Sequence, residues 1–409
     1  FRVYFLSGFL FRMEVFPLLT KIGKTQATLS AQMGVDRKQM VKLLKLVENL
    51  DQNFTMDNWT AITTHIQTMK LNKLEWKIEK KLNKSGDSKV HIDKNTEIVR
   101  ATSKVLLDCE YRKQPCIVKV METTIDKIGL FVESIINMFM SAVIRDEVNI
   151  YISTPDILAM GIVDESPIKE ASPIKVKEAS PSNKYILVQE KIKGKEFKKI
   201  IDGSELLRAM KTLCMGLQIL QKNYSFAHRD FHSGNVMYNP EINKVYIIDF
   251  GYACFSIPKT VGSIQHVGGG FGFNQFEDEY KVHQKCLNKS HDLCVLILSL
   301  LCQIPDENER KTSIPWLYNL GADISARYKA KIAMKKPTTG WEDMDLTIRQ
   351  TKTDRPFTFD KEIIHYWYLY EMFEIDIGMG PTEILEALEA PSDSELRVNQ
   401  AFVYQPLKF

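Results

Sequence analysis

Apolar positions change their period along this chain, and the changes mark out its elements. Between 36 and 54, "DRKQMVKLLKLVENLDQNF" sets Met40, Leu43, Leu44, Val47 and Leu50 three or four residues apart, the spacing of one helical face. "NWTAITTHIQTMKLNKLEWKIEKKL" keeps the same character, so residues 1 to 90 are expected to be a helical region. The Lys-rich, Gly-containing break "KKLNKSGDSK" then reads as a domain boundary. From about 97 the period shortens. "TEIVRAT", "KVLLDCEY" and "CIVKVM" have strand character, joined by turns such as "RKQP".

"IRDEVNIYIS" predicts a helix, and "DILAMGIVDE" and "KYILVQEKI" predict two further strands. Between those strands lies "SPIKEASPIKVKEASPSNK", 166–184, which has too little apolar content to build a core and is expected to be an inserted loop. Its Ser-Pro steps at Ser166, Ser172 and Ser180 are candidate phosphorylation sites, with a solvated linker the preferred reading. Past Gly194 the helical period returns, with Leu206, Met210, Leu213, Leu217 and Leu220 on one stripe. "NVMYN" and "KVYIIDFG" predict a short hairpin across the turn "PEIN", and the chain beyond about 284 is expected to be mostly helical.

Composition narrows the class. The 409 residues are 44% hydrophobic, enough for a sizeable core, and the net charge of +3 is too mild to argue for nucleic acid as a partner. Seven Cys with no C-x-x-C pair read as reduced thiols of an intracellular protein, cytoplasmic by expectation, or in host cytoplasm or a virion if the source is viral. The run "CVLILSLLCQI" at 294–304 is about half the length of a membrane span and reads as a buried helix. The apolar opening segment is broken by Arg2 and Arg12 and begins without Met, so a fragment or a start at Met13 are the two expectations there.

The chemistry concentrates in "SFAHRDFHSGNVMY", 225–238, and in the end of the hairpin that follows. His228, Arg229 and Asp230 stand in a row, Asn235 lies five residues past the Asp, and Asp249-Phe250-Gly251 closes the second strand. Phosphoryl transfer asks little covalent help of a protein: metal ions on the phosphates, and a carboxylate to orient the attacking hydroxyl. Two Asp and an Asn supply one base and two oxygen ligands, the ligand type that suits Mg²⁺.

HRDFHSGN followed by DFG resembles the catalytic core of the eukaryotic-type protein kinase superfamily, over roughly residues 95 to 300. The resemblance implies an α+β, two-lobed fold, with a β-sheet small lobe at 91–192, a mostly helical large lobe at 193–409, and residues 1–90 as an extra helical region. It implies Asp230 as catalytic base, Asn235 and Asp249 as Mg²⁺ ligands, and Lys119 of "CIVKV" on the α- and β-phosphates of ATP. An acid on the next helix should pair with that Lys. Glu147 is the first choice and Glu133 the second. "YILVQEKIKG" resembles the strand into the interlobe hinge, with Gln189 as gatekeeper and the backbone of Glu190, Lys191 and Ile192 at the adenine edge. Asp292 resembles the brace of the catalytic loop, and His228 a packing residue.

Three features depart from the family pattern. The turn "VRATSKV" carries no Gly where phosphates usually meet bare backbone, and "VGGGFGF" at 267–273 lies downstream of Asp249, in the activation segment. No Ala-Pro-Glu follows the Asp-Phe-Gly. His232 stands where Ser/Thr kinases usually have Lys, and Asp-x-His-x-Gly-Asn resembles haspin-like and large-DNA-virus kinases, as well as aminoglycoside and choline phosphotransferases. Arg229 is a candidate dock for a phosphorylated activation segment, with Ser256, Thr260 and Ser263 as sites, and a salt bridge without regulation is the alternative of equal weight. The favoured expectation is an ATP- and Mg²⁺-dependent kinase acting on Ser or Thr of a protein substrate, with no nucleic-acid partner and no membrane span. A small-molecule phosphotransferase and a pseudokinase scaffold are the alternatives.

Overall fold

The computed structural model describes residues 26–52, 56–74, 76–79, 90–93, 98–100, 105–121, 124–144, 148, 150–163, 184–200, 202–255, 258–261, 264–267, 271–272, 288–304, 306–334 and 376–389. The chain forms two compact units. One comprises Phe1–Asn149, Ser153–Lys193 and Asp249–Phe273; the other comprises Ile150–Ile152, Gly194–Ile248 and Asn274–Phe409.

The first unit begins with α1 (Gln26–Gln32), α2 (Arg37–Gln52) and α3 (Met56–Thr68). Asp36 starts α2 by accepting the Lys38 N–H at 2.8 Å, the usual device for an orphan donor at a helix start. The predicted stripe is inside: Met40, Leu43, Leu44 and Val47 are buried, together with Leu29, Met33, Ile62 and Ile66. These helices are part of the same unit as the sheet, so the expected boundary near residue 90 does not divide the chain. The Gln32 amide donates to the Ile157 carbonyl at 3.0 Å, and the Gly34 carbonyl accepts the Asn72 N–H at 2.6 Å. Gly34 has φ +60°, and a Cβ there would overlap the Met160 carbonyl oxygen, so both the turn and the close approach require glycine.

Residues expected to continue the helix form a strand instead. β1 (Trp76–Glu79) pairs in parallel with β2 (Val90–Asp93), a partner across the Lys-rich break that local periodicity does not reveal. The remaining strands are β3 (Ile98–Arg100), β4 (Val105–Tyr111), β5 (Gln114–Met121), β6 (Ile157–Val163) and β7 (Lys184–Glu190). They follow the order β1-β2-β4-β5-β7-β6, with β3 also on β4, and every pair except β1–β2 is antiparallel. Leu107, Cys109, Cys116, Val118, Val120, Ile186 and Val188 pack as one core cluster. Because side chains alternate along a strand, Lys119 emerges on the opposite face from its neighbours Val118 and Val120, opposite Leu106 on β4 and Leu187 on β7.

The helix expected over "IRDEVNIYIS" is displaced towards the N-terminus. α4 spans Thr124–Val143, and Ile152–Ser153 are extended. Its run "IGLFVESIINMFMSAV" is apolar almost all round, as a fully buried helix must be. Of the inserted loop expected at 166–184, Lys184 begins β7 and residues 166–183, like residues 101–104 of the glycine-free turn, lie outside the described residues.

In the second unit, α5 (Gly203–Tyr224) is capped by Asp202, whose carboxylate accepts the N–H groups of Ser204 and Glu205, and it ends on Ser225 in a left-handed conformation. Leu206, Met210, Leu213, Leu217 and Leu220 are all buried, as their spacing predicts. β8 (Val236–Asn239) and β9 (Lys244–Ile247) form the expected hairpin, closed by Pro240–Asn243 with Asn243 at φ 47°, a conformation Asn tolerates well. α6 (His291–Leu301) is buried along its whole length; α7 (Glu307–Ser313), α8 (Pro315–Met334) and α9 (Pro381–Glu389) complete the unit. No described helix is long and apolar enough to cross a membrane. Cys109, Cys116, Cys214, Cys294 and Cys302 are free thiols, and burial pushes Cys116 up to about 12. Cys254 is disulfide-bonded, which corrects the expectation of seven reduced thiols; pairing set by chain topology leaves no C-x-x-C signature.

Candidate active site

Within the first unit, Lys119 sits between two carboxylates. Its Nζ donates to Glu133 Oε1 and lies 3.2 Å from Asp249 Oδ1. The Lys119 and Glu133 side chains are 7% and 1% exposed, so neither charge would survive there without the other. Asp249 is 29% exposed and stands in a left-handed conformation at φ 61°. One ammonium against two carboxylates leaves a net negative charge, which a divalent cation at Asp249 would offset. Asp249 is followed by buried Phe250, and the residue 250–252 turn packs on α4, the helix that carries Glu133.

Of the two acids expected to pair with Lys119, the second choice, Glu133, does so. The first choice, Glu147, lies outside the described residues. The physical reason is the position of α4: it runs to Val143, so Glu133 falls mid-helix, where a buried carboxylate must meet a cation. A lone acid inside an otherwise apolar helix was the available signal.

In the second unit, the loop from His228 to Asn235 is held by groups that take no part in its chemistry. Asp292, fully buried on α6, accepts the backbone N–H of His228 at 2.7 Å and of Arg229 at 2.8 Å. Burial alone would raise its pKa. The His291 ring, with Nδ1 3.6 Å from Oδ1, and the His228 N–H outweigh that and hold the carboxyl below its ordinary value. The bracing lets Arg229 keep φ 64°, a conformation that costs about 1–3 kcal/mol and persists only where neighbours enforce it. Ser233 is pinned similarly, its N–H donating to Ser299 Oγ at 2.9 Å and its hydroxyl accepting from Gln303 Nε2. Ser299 was legible only as a hydroxyl in the apolar run of α6.

Asn235 Nδ2 donates to the Asp230 carbonyl at 2.8 Å and to Asp230 Oδ2 at 3.2 Å. This fixes the carboxamide with its oxygen as the atom left to face a cation. Asp230 itself is 23% exposed, open enough to receive a proton from a substrate. His232 has a definite local role: its Nδ1 accepts the Gly234 N–H at 3.0 Å, so the proton of the neutral ring is on Nε2, 4.0 Å from Asp230 Oδ1. A Cβ on Gly234 would stand 2.9 Å from the His232 ring, which explains the glycine. His228 Nε2 donates to the Ile248 carbonyl at 2.9 Å, and the Ile248 N–H donates to the Asn235 carbonyl at 3.0 Å. Asp249 is the next residue in the chain.

The hinge residues are partly committed. The Glu190 N–H donates to the Asp156 carbonyl at 2.8 Å and the Lys191 N–H to the Pro115 carbonyl at 3.2 Å, while Lys191 Nζ pairs with Asp108 at the surface. Of the three hinge residues, Ile192 is the one whose N–H has no acceptor among the described residues. Gln189 is buried, and its Nε2 likewise has no partner among the described residues. No cluster of three or more His, Cys, Asp or Glu suited to a metal occurs among the described residues.

The sequence profile of the phosphotransferase enzyme family matches residues 200–258, the segment that contains Asp230, Asn235 and Asp249. Among solved structures, the Cydia pomonella granulovirus kinase PK-1 is similar at 14% identity with a TM-score of 0.25; the match covers 41% of this chain and 55% of that one. No curated protein matches the chain by sequence.

Proposed function

From the match of residues 200–258 to the phosphotransferase enzyme family, we propose that the chain transfers the γ-phosphoryl group of ATP to a Ser or Thr hydroxyl of a protein. The observation that carries this reading is the buried Lys119 ammonium held by Glu133 and Asp249, a cation fixed where it can meet phosphate oxygens. Asp230 accepts the hydroxyl proton as the oxygen attacks the γ-phosphorus. The new P–O bond forms as the bond to the β–γ bridging oxygen breaks, and ADP leaves. Asn235 and Asp249 would hold Mg²⁺ through their side-chain oxygens, and the ion would neutralise charge on the phosphates. Gln189 and the Ile192 N–H are the groups available to the nucleobase.

A small-molecule hydroxyl is the second acceptor class, favoured by the match to the phosphotransferase enzyme family and by the missing Ala-Pro-Glu. Labelled ATP offered to the full chain with a panel of proteins and of amino alcohols separates the two. Asp230→Ala should lower transfer about 10²–10⁴-fold, the usual worth of a general base, while ATP still binds. Asp249→Asn should weaken the Mg²⁺-dependent part of that binding. Transfer that survives Asp230→Ala removes the assignment.

A further inference from the structure

Lys127 lies outside every role assigned so far, yet its side chain is built into the protein. It is 4% exposed on the first turns of α4, and its Nζ donates to the Met69 carbonyl at 2.7 Å and to the Gln67 carbonyl at 3.1 Å. The Tyr185 ring lies 5.9 Å from the same nitrogen. Gln67 and Met69 are at the C-terminal end of α3, where helix carbonyls lack partners and a cation is favoured.

Lys127 and Glu133 share one rigid helix. Six residues are about 9 Å of rise and, at 3.6 residues per turn, leave the two side chains about 120° apart around the axis. One face of α4 is therefore fastened to the N-terminal helices and another delivers Glu133 to Lys119. The N-terminal helices are themselves fixed to the sheet through Gln32 and Gly34.

We propose that Lys127 is a positioning residue for phosphoryl transfer, and that through it residues 26–69 hold the Glu133 carboxylate at Lys119. The N-terminal helical segment then acts as a brace for the nucleotide site. The claim about transfer rests on the phosphotransferase reading; the fastening does not.

The test compares the full-length wild type with Lys127→Met and Lys127→Arg by hydrogen exchange and by ATP kinetics. Lys127→Met should raise exchange about tenfold in peptides spanning 127–139, not only in those spanning 62–70. It should lower kcat about tenfold with KM for ATP changed by less than about threefold, and Lys127→Arg, which can still donate to both carbonyls, should recover most of both. Lys127→Gln, which keeps two N–H donors without the charge, replaces the Met variant should that fail to fold. Exchange that rises only over 62–70, or unchanged kcat in a variant with loosened α4, overturns the proposal. A wild type that transfers no phosphate removes the phosphotransferase reading and, with it, the role in transfer, while the exchange data still decide the fastening.

Discussion

Removing the Glu133 carboxylate separates the two candidate partners of Lys119 by energy. Breaking a buried ion pair at one end leaves the other charge stranded, at a cost of about 3–5 kcal/mol. Here Asp249 Oδ1 remains 3.2 Å from the ammonium, and its carboxylate is partly solvated, so the loss should lie near the lower end, about 3 kcal/mol. For a unit of roughly 200 residues that corresponds to a fall in Tm of about 6–12 °C. Calorimetry of full-length Glu133→Ala should show this fall in one transition, and Glu147→Ala should leave the profile unchanged. A double variant, Glu133→Ala with Lys119→Met, should be less destabilised than the sum of its parts, since no charge is then left unpaired. Should Glu147→Ala produce the larger shift, or Glu133→Ala shift Tm by less than about 2 °C, the assignment of the pair is wrong.

Two further outcomes test the supports of the site. Asp292 has a depressed pKa when folded, so the stability it contributes is fully present above the ordinary value of 3.8 and is lost as pH falls through the lower folded value. Asp292→Asn should therefore destabilise the protein near neutrality and flatten the acid limb of urea midpoints measured below about pH 4; an unchanged acid limb would contradict the bracing role. Gly34→Ala should cost about 2 kcal/mol or more, because it combines a left-handed backbone with overlap on the Met160 carbonyl. Urea unfolding followed by circular dichroism measures it, and a neutral result would mean that α1 does not rest on β6 as described.

Much of the chemistry around Asp230 was legible because its parts are contiguous in sequence. His228 to Asn235, the hairpin and Asp249 fall within about 20 residues, so spacing alone places them on one loop and strand pair. Lys119 was legible only through the resemblance of "CIVKV" to the kinase lysine strand. What escaped depends on partners far apart in sequence. Trp76–Glu79 is a strand only because Val90–Asp93 lies beside it, and its own composition reads as a continuing helix. Glu133 ranked second because α4 looks like core; the rule that a buried carboxylate needs a cation would have promoted it above Glu147. The anchors Ser299 and Gln303 carry no motif, since a hydroxyl or carboxamide that holds a loop is chosen by geometry alone.

The hairpin β8–β9 has a consequence for how this sequence can drift. Because Asn235 and Ile248 are bonded across its open end, Asp249 is set by the ladder and not by the loop at Pro240–Asn243. Residues added at that distal tip should leave the Asn235–Ile248 bond intact. A single deletion inside either strand would turn its alternate side chains to the wrong face and carry Asp249 off its mark. The hairpin works as a measuring rod that tolerates extension at its far end only.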